Sequence, residues 1–276
     1  MKLFKTKFQQ NDFDENKLPS SRKGQFFDIL KHRKSLLFKM SFILILFLLP
    51  FFISVIVKDS MLASVDLSLE KDVLKDKIFN ISLIYTILVS ISLLIFFVGL
   101  SGVAKIYKRL LWREPIFIKE DFFSGIKENC FNFIVFGLIN SIFFSFSLII
   151  SYFTDSLFQY LPVGLNIVFV CPVVLIALFL ICFYKNSFIS NIKISIEFYL
   201  KNPLFTLLFV LMSFGMFQIK YIKYIYIKYL LVGLIIVFIL PFFLLLMFEY
   251  YTYKFDELIN KDKFVNFYKK GLNKKL

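Results

Sequence analysis

Two adjacent acids, Glu120 and Asp121, come nearest in this chain to the spacing that acid–base chemistry requires. A general acid–base pair needs two carboxyl groups on a common face in a sheltered place. These two lie in a segment of helical periodicity, on the side opposite its apolar residues, where water would solvate them. The single histidine, His32, lies between Lys31 and Arg33, which suits contact with lipid headgroups better than catalysis. Neither set predicts a catalytic centre.

Motifs that would mark an enzyme or a metal site are missing from the sequence. It contains no GxGxxG, GxxxxGK[ST], HExxH or GxSxG pattern. The three cysteines, Cys130, Cys171 and Cys182, lie in apolar surroundings without a CxxC pair or a nearby histidine. A disulfide framework and a zinc site are therefore not expected. We expect a protein that is not an enzyme and that holds no cofactor and no metal.

Polar residues inside the apolar segments bear on transport. Ion-coupled carriers usually keep ionisable groups in their spans, because these groups bind or relay ions, whereas Lys39 and Glu249 lie near the ends of spans. The remaining intramembrane candidates are uncharged: Asn140, Ser141, Ser145 and Asn166. Such residues more often form hydrogen bonds between helices than bind a substrate. An ion-coupled carrier is disfavoured, and a permease for a small neutral or amphipathic solute, lined by these four residues, stays an alternative.

The composition indicates a protein that folds in a membrane. Of its 276 residues, 59% are hydrophobic and 20% are aromatic, and the mean hydropathy is +0.76. Soluble domains contain about 45–50% apolar residues. The formal net charge is +14. Because the basic residues lie in loops between apolar blocks, the positive-inside rule explains this charge better than nucleic-acid binding does. We expect the lipid bilayer as a partner and no nucleic acid.

Six apolar segments are predicted to cross the membrane, because a helix rises 1.5 Å per residue and the hydrocarbon core is about 30 Å thick. The sequence therefore predicts an all-α polytopic membrane protein with six transmembrane helices. A charged arm, residues 1–35, precedes the transmembrane domain, residues 36–250, and a basic tail, residues 251–276, follows it. The predicted spans are 36–57, 79–104, 131–153, 163–184, 203–219 and 229–250.

The distribution of Lys and Arg predicts the orientation of these spans. With the N-terminus inside, the cytoplasmic segments hold twenty-five of the thirty-three basic residues and the outer loops hold seven. Both termini are therefore expected in the cytoplasm, and the loop 58–78 is expected outside. The arm is either a short surface helix, with Phe26, Phe27 and Leu30 on one face, or a flexible segment; both readings stay open.

Two amphipathic segments are predicted to lie on the cytoplasmic surface of the membrane. The first follows the linker that contains the only tryptophan, Trp112, and its residues Phe122, Phe123 and Ile126 recur at helical spacing. The second covers residues 185–202. Such helices either anchor a loop to the leaflet or dock a partner. The candidate docking surface consists of Trp112, Phe122, Phe123 and Ile126.

The first of these segments resembles the YesL family of small bacterial membrane proteins. The family has a basic stretch and then an aromatic surface helix of the form IFKDFFKSFKENF, and residues 118–131 of this chain read IKEDFFSGIKENCF. A second similarity is Lys201-Asn202-Pro203-Leu204, where the family often has an Arg-Asn-Leu-Pro element. The resemblance covers roughly residues 95–255. The loop 58–78 is longer than the family leads us to expect, and the N-terminal arm is more charged.

The resemblance implies a role without catalysis. The family is regarded as an accessory of carbohydrate ABC-type uptake systems in Gram-positive bacteria, and it brings no catalytic residue with it. We therefore expect a multi-pass protein of the bacterial inner membrane that serves as an accessory or interaction subunit. Its expected partners are components of an ABC-type transporter or further copies of itself, and a self-contained permease is the alternative.

Overall fold

The computed structural model confirms the predicted fold class. It describes residues 18–66, 68, 70–154, 158, 161–184, 186–215, 225–262 and 264–273. Of the residues that the structure describes, 87% are helical, and none of them forms a β-strand. Together with the apolar character of the helices, this architecture is that of an all-α polytopic membrane protein.

Ten α-helices follow one another along the described part of the chain. Three π-helical segments continue or connect them, and a short 3₁₀ turn lies in the tail. The helices are α1 Arg22–His32, α2 Lys34–Ala63, α3 Lys71–Leu111, α4 Ile118–Phe153, α5 Leu161–Leu165, α6 Cys171–Phe183, α7 Phe188–Lys201, α8 Pro203–Gly215, α9 Ile225–Leu234 and α10 Leu240–Phe255. The π-helical segments are Asn166–Val170, Ile235–Ile239 and Asp256–Asn260, and the 3₁₀ turn is Val265–Phe267.

Five helical stretches are long and apolar enough to cross a membrane, and a sixth crossing exists if one bent helix pair counts as a span. The bent pair is α7 and α8, whose axes meet at 104°. Helix α8 has 13 residues, or about 20 Å at the helical rise, which is shorter than a hydrocarbon core. Residues 216–219 of the predicted fifth span lie outside the described residues. The five stretches are Lys34–Ala63, Lys71–Leu111, Ile118–Ser147, Leu161–Phe183 and Val237–Asn260.

The first two membrane-spanning helices, α2 and α3, extend well beyond the apolar segments that predict them. Helix α2 continues to Ala63 and α3 begins at Lys71, so much of the loop predicted at 58–78 is helical. Lysine and glutamate are good helix formers, and Asp72 lies in the first turn of α3, where a negative charge suits the helix dipole. The charges therefore mark where the apolar surface ends and not where the helix ends.

Two prolines inside apolar helices each follow a π-helical turn. Pro172 is the second residue of α6 and follows Asn166–Val170, and Pro241 is the second residue of α10 and follows Ile235–Ile239. Proline has no N–H to donate, and its ring clashes with the preceding helical turn. The wider π turn accommodates the ring while the helical path continues.

Glycines bring α3 and α4 into close contact. A Cβ at Gly102 would lie 2.5 Å from the Phe122 ring, and a Cβ at Gly125 would lie 2.9 Å from the Ser101 carbonyl oxygen. Small residues at helix contacts are the usual way for membrane helices to approach closely. The two glycines therefore hold the first turns of α4 against the last turns of α3.

The two described ends of the chain meet on one side of the helix bundle. The Asn273 N–H donates to the Pro19 carbonyl oxygen at 3.1 Å. The linker that joins α3 to α4 lies between these ends. We name this assembly the terminal cap and define it as α1, the linker 112–117 and the described tail residues 256–262 and 264–273. The described parts of the predicted arm and tail are thus packed structure.

Candidate functional site

A buried ion pair connects the first helix of the terminal cap to the tail. Arg22 Nη2 and Nε lie 2.7 and 3.1 Å from Asp256 Oδ2, and the two side chains are 5% and 8% exposed. Asp256 Oδ1 accepts hydrogen bonds from the Asn260 amide at 2.8 Å and the Lys269 backbone N–H at 3.1 Å. Arg22 also donates to the Lys270 carbonyl oxygen at 3.0 Å. Removing either charge would leave the other buried without compensation.

The linker is attached to α1 by two side chains. The buried Gln25 amide donates to the Leu111 carbonyl oxygen at 2.6 Å and accepts a hydrogen bond from Arg22 Nη1 at 2.7 Å. Arg113 has a positive φ of 54° and forms an ion pair with Asp28. The ion pair at the tail and the turn of the linker therefore belong to one polar network.

Trp112 lies inside the terminal cap between aromatic and cationic groups. Its ring stacks on Phe267, with centroids 5.1 Å apart and planes inclined by 20°. The ammonium groups of Lys270 and Lys108 lie 4.0 and 4.5 Å from the Trp112 ring centroid. Both distances are within the range of cation–π attraction. The only tryptophan of the chain is thus a structural centre of the cap.

A cavity of about 650 Å³ opens beside Trp112. Its wall is formed by the end of α3, the end of α6 with the residues that follow it, and the aromatic tail. Its polar members are Lys108, Tyr184, Asn186 and Asn266. Burial raises the pKa of the Tyr184 phenol, so the group stays neutral, and its O–H donates to Asn260 Oδ1 at 2.5 Å. We name this space the cap cavity.

The four residues predicted as a docking surface do not share a surface. Trp112 is 9% exposed and Phe122 is 7% exposed, and both belong to the hydrophobic core. Ile126 is half-buried and packs against that core. Phe123 is 61% exposed. The structure therefore corrects the predicted set: the cap encloses Trp112, Gly102 admits the Phe122 ring between α3 and α4, and Phe123 faces outwards.

The two adjacent acids at the start of α4 have different environments. Glu120 is exposed, as the sequence predicts, but the expectation of a solvated Asp121 is wrong, because the linker folds over it. Asp121 Oδ1 lies 2.8 Å from Arg109 Nη1, and Oδ2 accepts the Phe117 backbone N–H at 2.8 Å. Asp121 thus satisfies a free N–H at the start of α4 and holds the turn to α3.

Two of the four predicted intramembrane polar residues meet at a cysteine. Cys171 Sγ lies 3.3 Å from Asn140 Oδ1 and 3.4 Å from Asn166 Oδ1. The Asn140 amide also donates to the Phe136 carbonyl oxygen of its own helix at 3.4 Å. The cluster connects α4 with the π-helical segment before α6. It is a polar contact between helices, the more frequent use of such residues in membranes.

The other two intramembrane candidates line a groove of about 290 Å³ between α3 and α4. Ser141 donates to the Gly137 carbonyl oxygen at 3.1 Å, and Ser145 donates to the Ser141 carbonyl oxygen at 2.9 Å. Ser90 also lines the groove, and its remaining lining is apolar, with an exposed Leu138 at the edge. Both predicted hydroxyls are therefore satisfied by their own helix without a ligand.

Glu249 has an environment that the sequence did not indicate. It is 5% exposed, and neither carboxylate oxygen has a hydrogen-bond partner among the residues that the structure describes. It precedes Asp256 by seven residues, or about two helical turns. The predicted span ends at residue 250, which placed Glu249 at a boundary, whereas α10 continues to Phe255 and α1 packs against it. The charge pattern near residue 250 carries no signal of that packing.

Comparisons of the chain with protein-family models, with curated proteins and with solved structures find no match. The similarity of residues 118–131 to the YesL family therefore rests on the residues themselves and stays an expectation.

Proposed function

We propose that the protein is a non-enzymatic interaction subunit of a bacterial inner-membrane complex, with both termini in the cytoplasm. The observation that carries this proposal is the exposed ring of Phe123 at the start of α4. The excess of basic residues in the terminal cap and the neighbouring loops supports the cytoplasmic side for this end.

Phe123 lies among charged residues on the outward side of α4. Glu120 and Lys127 are exposed within one turn of it, whereas the long apolar face of the helix begins at Phe131. A single large aromatic ring surrounded by charged neighbours is typical of the centre of a protein contact, where the polar rim excludes water. The buried anchors beneath it, Phe122 and the α3 contact, hold this ring in place.

The resemblance to the YesL family supports a carbohydrate ABC-type uptake system as the complex. A transporter component is therefore the partner that we propose for the Phe123 surface, and self-association of the chain is the competing outcome. Both outcomes use the same exposed ring, and they differ in what the isolated complex contains.

Purification from native membranes in mild detergent, followed by mass spectrometry, tests this proposal. The unmodified chain is expected to retain a transporter component at a constant ratio, and Phe123→Glu is expected to lose it. Ile189→Glu, at a position of α7 that is 66% exposed, is the matched control and should keep the partner. Isolation of the unmodified chain without any companion, or retention of the companion by Phe123→Glu, would contradict the proposal.

A permease for a small neutral solute is the second candidate, because Asn140 and Asn166 bring amide groups together between two helices. Proteoliposomes that swell in a gradient of erythritol would test it. Asn140→Leu should abolish swelling if the cluster lines a path, while expression and thermal stability stay close to those of the unmodified chain. Equal swelling of protein-free and protein-containing liposomes would count against the permease.

A further inference from the structure

The cap cavity contains a cation that no carboxylate in its wall neutralises. Lys270 and Lys108 both approach the Trp112 ring. The Lys270 ammonium is 2.7 Å from Glu114 Oε1, but no ion pair between described residues includes Lys108. The residues that line the cavity include no Asp and no Glu. Glu114 and Glu128, whose charges act on Lys108, lie outside the cavity wall and form ion pairs with Lys270 and Lys105. The positive charge of Lys108 therefore faces a cavity whose wall contains no carboxylate.

The Lys108 ammonium is held in place but has spare donor capacity. Its Nζ lies 4.5 Å from the Trp112 ring centroid and 3.5 Å from the Phe183 carbonyl oxygen. The second distance is at the long limit of a hydrogen bond. An ammonium group has three N–H donors, so an anion in the cavity could accept at least one of them without displacing an existing strong bond.

The rest of the wall suits a ligand with a polar group and an apolar body. The side-chain amides of Asn186 and Asn266 provide neutral polar groups, and the rings of Phe264 and Phe267 provide apolar surface. The volume of about 650 Å³ is within the range of about 300–1,000 Å³ that is usual for small-molecule sites. The cavity lies where α3 and α6 end, at the level where aromatic and basic side chains meet the membrane surface.

We propose that the cap cavity binds a phosphate anion, carried either by the headgroup of an anionic phospholipid or by a soluble phosphate ester. Lys108 supplies the charge-assisted contact, and the amides of Asn186 and Asn266 orient the remaining oxygens. Basic pockets between transmembrane helices are a known way to hold anionic lipid headgroups. The ligand would bridge the end of α3 to the tail and so connect the cap to the membrane surface.

Trp112 is the only tryptophan of the chain and lines the cavity, so its fluorescence reports on the site directly. The full-length protein in a neutral detergent would be titrated with phosphatidylglycerol and, separately, with phosphatidylcholine of the same acyl chains. Of these two lipids, only phosphatidylglycerol is expected to give a saturable change in Trp112 emission. Lys108→Gln should weaken the apparent affinity about tenfold, the effect of one lost charge-assisted contact.

The control is Lys193→Gln, which removes an exposed lysine of α7 and should bind like the unmodified protein. A parallel titration with glycerol phosphate identifies the source of the anion: saturation by it indicates a soluble ester, and saturation by the lipid alone indicates a headgroup. Native mass spectrometry of the protein after lipid addition counts the bound molecules independently of fluorescence. Equal affinity of Lys108→Gln and the unmodified protein, or no response to either phosphate compound, would overturn the proposal.

Discussion

The terminal cap and the membrane part of this protein differ in how most of their polar side chains are bonded. In the cap, polar groups connect segments that are far apart in the chain: Arg22 binds Asp256 across 234 positions, and Gln25 binds the Leu111 carbonyl across 86. In the spans, hydroxyl groups such as that of Ser145 bond to the carbonyl four residues earlier in the same helix. The cap uses polar groups to join distant segments, whereas most hydroxyl groups of the spans bond within their own helix. Polar contacts between spanning helices, such as Ser54 with Ser92 and the Cys171 cluster, are fewer.

The difference follows from the solvent of each region. A hydroxyl group in hydrocarbon has no water to return to, so the carbonyl of its own helix is the nearest available acceptor. At the end of the bundle, charged groups gain from pairing only when the chain brings their partners together and buries them with complete hydrogen bonding. The cap is therefore the part of the fold that is most sensitive to single charge changes.

The largest effect is expected from Asp256→Ala. The change leaves Arg22 buried without its carboxylate, and loss of one partner of a buried pair costs about 3–5 kcal/mol of the free energy of unfolding. Thermal unfolding in detergent, followed by Trp112 emission, would measure it. Glu197→Ala breaks the exposed pair of Glu197 with Lys201 on α7 and should cost less than about 0.5 kcal/mol. Equal losses of the free energy of unfolding in the two variants would contradict the difference that we draw between buried and exposed ion pairs.

The second-largest loss of stability is expected from a substitution in the turn that packs the tail against the linker. Gly271 has a φ of +84°, and a Cβ there would lie 2.1 Å from the Leu111 carbonyl oxygen. Gly271→Ala should therefore lower the free energy of unfolding by roughly 2 kcal/mol or more. Gly233→Ala, in the helix α9 where a Cβ meets no atom within 4 Å, should raise it by about 0.5–1 kcal/mol. The same unfolding assay distinguishes a loss from a gain.

A smaller change, which raises the free energy of unfolding, is expected from a substitution at Glu249. Its buried carboxylate lacks hydrogen-bond partners among the described residues, and burial of an unpaired polar group is costly. Glu249→Gln keeps the shape and removes the charge, so the free energy of unfolding at pH 8 should rise by about 1 kcal/mol. Asp256→Asn, about two helical turns further along the chain in the π-helical segment after α10, should instead lower the free energy of unfolding. A loss of stability in Glu249→Gln would show that the carboxylate has a favourable role.

The smallest change in the free energy of unfolding is expected when a hydroxyl group is removed from a membrane-spanning helix. Ser145→Ala removes a hydroxyl group that bonds only to its own helix among the described contacts, and such a change should alter the free energy of unfolding by no more than about 0.5 kcal/mol. Thermal unfolding of the variant beside the unmodified protein would show it. A change above about 1 kcal/mol would indicate that the groove between α3 and α4 depends on this group, and it would strengthen the permease alternative.

The sequence predicted well those structural features that depend only on residues close together in the chain. The apolar runs predict the helices of the membrane part, and Pro203 predicts the start of α8. The prediction failed where a residue depends on distant segments. Trp112 lies in the linker before the predicted surface helix, and Phe122 has the spacing of that helix. The tail nevertheless covers Trp112, and Gly102 makes room for the Phe122 ring. Phe122 and Phe123 are adjacent and equally apolar, so their sequence contains no signal that separates them.

The amino-acid sequence by itself determined the helical class, the membrane as solvent and the end of the bundle that is basic. These properties depend on the side chains of one segment and on the few residues around them. Tertiary structure alone decided that the arm and the tail form a cap, that Arg22 meets Asp256, and that Lys108 faces the cap cavity. Such pairings depend on how separate helices approach one another, and that geometry is not contained in any local pattern of the chain.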